Sequence, residues 1–160
     1  MSAAKVMSRE DAAAFIRAAQ TRGQTVALAS GVFDLLHVGH VRYLQSARQF
    51  ADLLVVSLNS DASTRAIKGP ERPVIPESER AEMVAALECV SAVLIFDETV
   101  VRTTLRALKP DFFVKGTDYT PESVPERDVV SEYGGRVVIA GDLKNHSSTQ
   151  VIEHMRRAGL

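Results

Sequence analysis

The densest run of residues able to do chemistry is Gly31-Val32-Phe33-Asp34-Leu35-Leu36-His37-Val38-Gly39-His40. Two histidines three positions apart, where a helix begins, can turn to the same side. The glycine between them lets a ligand approach the backbone closely. A helix start adds free N–H groups and the positive end of the helix dipole, which together favour phosphate. Zinc fits less well, because no cysteine or obvious carboxylate nearby completes a ligand set. The plainer alternative makes His37 a local cap and His40 an ordinary surface residue. Two histidines and two glycines in one strand-to-helix loop weigh against it.

Three further stretches carry candidates. In Val114-Lys115-Gly116-Thr117-Asp118-Tyr119, Lys115 could bring charge to a phosphate and Gly116 could admit a nucleotide near the backbone; the alternative is a turn with a solvated lysine. In Asn145-His146-Ser147-Ser148-Thr149, hydroxyls and free N–H groups at a helix start suit phosphate oxygens. Simple capping explains that run equally well, and the two roles are compatible. The stretch 65–76 reads as a stiff cationic loop, with Lys68, Arg72 and the nearby Arg80 expected at the mouth of one crevice. Cys89 reads as a small buried apolar residue and His154 as a surface residue near a helix end.

These loops need a scaffold, and the hydrophobic pattern supplies one. Short apolar runs at 25–30, 53–58, 92–96, 112–114 and 136–140 fit strands buried on both faces of a parallel sheet. Helices are expected at 8–23, capped by Ser8 and ended by Gly23, and at 41–51, 77–87, 100–108 and 148–158. Strand–helix alternation of this kind predicts an α/β fold, a Rossmann-like, doubly wound, five-stranded parallel sheet. With strand order 3-2-1-4-5, the loops after the first and fourth strands face each other at the switch point, where ligands bind in such sheets. The expectation is one domain over residues 1–160, with 1–23 as a helical extension.

Composition narrows the function. Nineteen basic and 20 acidic residues leave a net charge of −1, which argues against a nucleic-acid partner. The single cysteine suits a reducing compartment, and no apolar run reaches the ~18–20 residues of a membrane span, so a cytoplasmic protein with no membrane partner is expected. No GxGxxG run follows the first strand and no GxxxxGK[S/T] occurs, which turns the reading away from redox dinucleotide binding and P-loop chemistry.

His37-Val38-Gly39-His40, preceded by Gly31-Val32-Phe33-Asp34, resembles the HxGH signature of the nucleotidyltransferase α/β-phosphodiesterase superfamily. From about Val26 onward the chain is most similar to the adenylyltransferase half of the bifunctional bacterial enzymes that make ADP-heptose for lipopolysaccharide. The runs 59–63, 72–76, 85–90, 115–119 and 147–149 share that likeness. The glycerol-3-phosphate cytidylyltransferases are similar over the same length. They typically carry an Arg-Thr-Glu-Gly-Ile-Ser-Thr-like motif before the last helix, where this chain has Gly141-Asp142-Leu143-Lys144-Asn145-His146-Ser147-Ser148-Thr149. His146 and the Ser148-Thr149-Gln150 run also depart from the heptose group, which usually has Ser-Thr-Thr.

The resemblance implies transfer of AMP from ATP to a sugar 1-phosphate, D-glycero-D-manno-heptose 1-phosphate in the heptose group. Alternatives are a CTP-dependent enzyme acting on glycerol 3-phosphate or a phospho-amino-alcohol, and a non-catalytic nucleotide-binding regulatory module. It implies that His37 and His40 contact the triphosphate and stabilise the transition state, with Lys68 as a basic partner of the phosphates. Gly31, Val32, Phe33, Gly39, Arg72, Lys115, Gly116, Ser147, Ser148 and Thr149 are the expected nucleotide-binding positions, and Mg²⁺ would accompany ATP. Asp34, Asp118 and Tyr119 are candidates for the acceptor or the nucleoside. No metal-ligating residue is expected. A homodimer is compatible with the resemblance, and a separate kinase is expected to supply the sugar phosphate.

Overall fold

The computed structural model describes residues 2–142 and 147–160. Five parallel strands, β1 (Val26–Gly31), β2 (Leu53–Asn59), β3 (Ala92–Phe96), β4 (Phe112–Lys115) and β5 (Arg136–Ile139), form one sheet of order β3-β2-β1-β4-β5. This is the order expected from the alternating pattern, and the switch point falls between β1 and β4.

The side-chain period of two divides each strand between two cores. Val26 and Leu28 of β1 face one side with Val55, Leu94 and Phe113. Ala27 and Ala29 face the other with Leu54, Val56 and Val93. Helices α1 (Arg9–Thr21), α5 (Arg102–Leu108) and α6 (Arg127–Glu132) cover the first face, the last two through Leu105, Leu108, Val129 and Val130. Helices α2 (Val38–Arg48) and α4 (Glu77–Ala85) cover the second through Leu44, Ala47, Ala81, Val84 and Ala85.

The N-terminal residues belong to this packing. Ser8 caps α1 by accepting from the Asp11 N–H at 3.0 Å, and Gly23 follows the helix at φ 78°. Ala12, Ile16 and Ala19 of α1 are fully buried in the first core. Ahead of it, Val6 bridges to Val93 along the edge of β3, and Lys5 donates to the carbonyls of Leu87 and Val90.

Two α-helices among the described residues were not expected. Helix α3 (Asp61–Lys68) occupies part of the stretch read as a loop, and α6 lies in a stretch with no assignment. The last helix, α7 (Ser148–Arg157), begins where the pattern placed it. No described helix is long and apolar enough to cross a membrane.

Candidate active site

The loop from β1 to α2 is built under strain. Phe33 and Leu35 take left-handed backbone conformations, φ 53° and 49°, which cost bulky residues roughly 1–3 kcal/mol each. Contacts from other elements hold them there. Asp34 lies between the two, 1% exposed, and its carboxylate accepts from the N–H groups of Val74 (2.9 Å) and Ile75 (3.1 Å) and from Arg72 Nε (2.9 Å). Burial alone would raise the Asp34 pKa; the two backbone N–H groups and the Arg72 guanidinium outweigh it and hold the carboxyl below its ordinary value. The Asp34 carbonyl accepts from the Ser148 hydroxyl, which ties the loop to the start of α7. Phe33 is buried beneath Gly31, where a Cβ would stand 3.1 Å from the Phe33 ring.

Helix α2 starts at Val38, three residues earlier than the pattern suggested, because His37 is its N-cap. His37 Nδ1 accepts the Gly39 N–H at 3.1 Å, and His40 Nδ1 accepts the His37 N–H at 3.3 Å. Gly39, a weak helix former, had disguised that first turn. Capping through Nδ1 is compatible with a ligand contact at the other edge of each ring. With Nδ1 accepting, the proton of each neutral ring sits on Nε2, the edge turned from the helix backbone. The rings stack with centroids 3.8 Å apart, and Phe33 supports His40 from 5.4 Å.

Both histidines line a crevice of about 310 Å³ at the switch point. Gly31, Val32, Phe33 and Gly39 line it together with Lys68, Lys115, Gly116 and Tyr119, and the start of α7 contributes Ser147, Ser148 and Thr149. Lys115 is held by three groups: the Tyr119 ring at 4.6 Å, the Phe113 ring at 5.6 Å and the buried Glu126 carboxylate at 3.8 Å. The last distance exceeds hydrogen-bond range, so the attraction is Coulombic. Ser147 caps α7 by accepting from the Gln150 N–H. The N-termini of α2 and α7 thus both reach this crevice and bring two positive dipole ends to it.

Four expectations change. Asp34 spends its carboxylate inside the protein, so it shapes the loop and offers nothing to an acceptor. Asp118 is exposed and lies outside the crevice lining. Arg72 is committed to Asp34 through Nε and lines a neighbouring groove instead of the crevice. Arg80, expected at the mouth, is fully buried, donating to the carbonyls of Ile75 (2.8 Å), Val32 (2.6 Å) and Asn59 (2.9 Å) and pairing with Asp61 at 2.7 Å. Asn145 and His146 lie outside the described residues.

The structure also adds residues that the sequence did not single out. Tyr43 lines the crevice while its hydroxyl donates to the Val114 carbonyl at 2.7 Å; burial pushes its pKa far above the usual value, so it remains a donor. At Gly141, φ 92°, an added Cβ would stand 3.5 Å from the Tyr43 Cα, and a glycine just after the last strand was the signal available for it. Arg42 pairs with Asp142 at 3.3 Å, and Thr117 donates to the Asp142 carbonyl. Only the fold brings these positions together.

Residues 28–154 match the cytidylyltransferase-like family. The chain belongs to that family. Membership bears out the nucleotidyltransferase resemblance and the expected class of enzyme. Among relatives, the chain is 50% identical to the bifunctional protein HldE of Geotalea uraniireducens over 99% of its own length and 32% of that protein's. It is 48% identical to HldE of Geobacter metallireducens over 98% of its length and 32% of the relative's. The chain thus spans about a third of these curated relatives. A crystal structure of the lipopolysaccharide core biosynthesis protein from Thermoplasma volcanium superposes with a TM-score of 0.66 at 27% identity, over 76% of this chain and all of that one.

Proposed function

We propose that the chain transfers AMP from ATP to a sugar 1-phosphate, D-glycero-D-manno-heptose 1-phosphate being the acceptor of choice, and releases pyrophosphate. One observation carries this reading: stacked histidines and the starts of α2 and α7 converge on one crevice at the switch point. The likeness to HldE proteins at 43–50% identity supports the sugar acceptor over glycerol phosphate.

The chemistry needs little from the protein beyond placement and charge. A sugar phosphate is already anionic, so its oxygen attacks the α-phosphorus without a general base. The bond from the α-phosphorus to the oxygen bridging the β-phosphate breaks, and the pyrophosphate leaves with that electron pair. Gathering two anions and stabilising the transferring group then dominate the barrier. His37 and His40 donate from Nε2 to the phosphoryl oxygens. Lys68, in the last turn of α3, and Lys115 offset the charge that builds on pyrophosphate. Ser147, Ser148 and Thr149 cradle the phosphates at the start of α7.

Mg²⁺ would neutralise and orient the phosphates. Among the described lining residues Asp142 is the only carboxylate, and it is paired with Arg42. That donor set suits a metal carried in on the triphosphate oxygens. Residues 1–160 are read as one transferase domain acting in the cytoplasm, compatible with a homodimer and served by a sugar kinase that phosphorylates the acceptor.

Pyrophosphate release measured with ATP and with CTP, each paired with heptose 1-phosphate and glycerol 3-phosphate, tests the reading. ATP with heptose 1-phosphate should exceed the other three pairs by at least about a hundredfold in kcat/KM, a difference of roughly 2.7 kcal/mol in transition-state binding. Preference for CTP with glycerol 3-phosphate overturns it. Nucleotide binding without release from any pair would mark a regulatory module.

A further inference from the structure

A transferase must seat two substrates so that they meet at one phosphorus atom, and a second groove adjoins the crevice. It measures about 480 Å³, lies between α7 and residues 68–74, and shares Lys68 and Thr149 with the crevice. We propose that this groove receives the sugar part of the acceptor, an inference that rests on the transfer reaction proposed above.

The lining separates the two compartments by chemistry. Glu71 and Glu153 offset Lys68 and Arg156, and Arg72 is paired with Asp34, so the groove lacks the uncompensated positive charge that would extend the phosphate site. No aromatic side chain among the described residues lines it, whereas the crevice offers Phe33, Tyr43 and Tyr119 to a base. What the groove presents is carboxylate acceptors beside the Arg156 guanidinium, with the apolar surface of Val74 and Ile152 between. Vicinal hydroxyls both donate and accept, and the C–H face of a sugar ring packs on apolar surface. That combination suits a polyhydroxylated ring.

The polar groups can be recruited at low cost. Arg156 pairs with Glu71 at 2.8 Å, but both side chains are largely exposed, 66% and 79%. Such a pair contributes little to stability, so its partners can be exchanged for sugar hydroxyls. Lys68, common to both cavities, then stands where the acceptor phosphate meets the α-phosphate. Glu71, Glu153 and Arg156 become specificity determinants on the acceptor side, remote from the transferring group.

The test is the affinity of the intact chain for heptose 1-phosphate, titrated calorimetrically at saturating non-hydrolysable ATP analogue. The double variant Glu71→Gln/Glu153→Gln and the single variant Arg156→Leu should each weaken acceptor binding by at least about tenfold, the loss of one or two charged hydrogen bonds. Their affinity for the ATP analogue should stay within about twofold, since none of the three lines the crevice. Glu132→Gln, on the outer surface of α6 where it pairs with Arg106, controls for a general change of charge and should leave both affinities unchanged. Acceptor binding retained within about twofold in the groove variants overturns this inference alone. A wild-type chain that binds the nucleotide but no sugar phosphate overturns the transferase reading and the groove assignment together.

Discussion

His40 divides its work between two nitrogens. Nδ1 accepts the His37 N–H and orders the first turn of α2, while the ring lines the crevice, where the proposed reaction uses Nε2. Removing the ring therefore costs catalysis much more than folding, because one N-terminal bond at 3.3 Å contributes only about 1 kcal/mol. His40→Ala is expected to lower kcat by at least about a hundredfold, with the circular-dichroism spectrum unchanged. His40→Asn can keep an acceptor for the His37 N–H, yet it should lose activity to a similar degree. A loss below about tenfold in either variant would remove His40 from the transition-state role. Asp34 has the opposite character: its backbone and carboxylate work entirely within the protein, and the chemistry depends on it only through the shape of the loop.

At the scale of elements, the site depends on four segments that meet at one guanidinium. Arg80, at the start of α4, bonds to the motif loop at Val32, the end of β2 at Asn59, the first residue of α3 at Asp61 and the preceding loop at Ile75. Replacing it strands three carbonyls and a carboxylate. Arg80→Met should destabilise the fold by about 3–5 kcal/mol in urea unfolding, and Arg80→Lys should restore only part of it, because an ammonium cannot span the same fork. Stability within about 1 kcal/mol of wild type would show that the cluster is dispensable. The strands and the switch point were legible because each strand is a short continuous apolar run and the order of a doubly wound sheet follows from topology. Helix α3 was not, since its buried residues are Ser63 and Thr64 while Ile67 points outward, the reverse of an amphipathic signature. Arg80 was misplaced for a related reason: arginine is almost never fully buried unless its donors are satisfied, and no local pattern announces four acceptors of which three are distant in sequence. Lys68 stood out in the cationic stretch as well as by resemblance, whereas Tyr43 and Asp142 became visible only once α2 and the end of β5 were brought side by side.

Across the whole molecule the near-balance of 19 basic and 20 acidic side chains conceals two different kinds of charge. The exposed pairs Arg102–Asp128 and Arg106–Glu132 sit on the outer surface of α5 and α6, where solvent and salt screen them. The hydrogen-bonded Arg side chains hold the pKa values of Asp128 and Glu132 below normal, but such pairs contribute little to stability. Asp34 is the buried case, and its bonds reach residues 72–75 and, through its carbonyl, α7. Its pKa is lower in the folded chain than the ordinary 3.8 of the unfolded one, so the unfolded state takes up the proton first as pH falls. The stabilisation is complete above that ordinary value and disappears as pH drops through the folded one. Below about pH 4 the other carboxylates also neutralise while every Lys and Arg stays charged, so self-repulsion adds to the loss. Asp34→Asn should cost about 3 kcal/mol at pH 7, because it leaves Arg72 without its carboxylate. That difference from wild type should begin to shrink as urea titrations are carried below the ordinary carboxylate pKa, keep shrinking as pH falls toward the lower folded-state value, and persist in added salt. A difference that stays constant across this range would mean that the Asp34 charge contributes nothing, and that packing alone holds the motif loop against the start of α7.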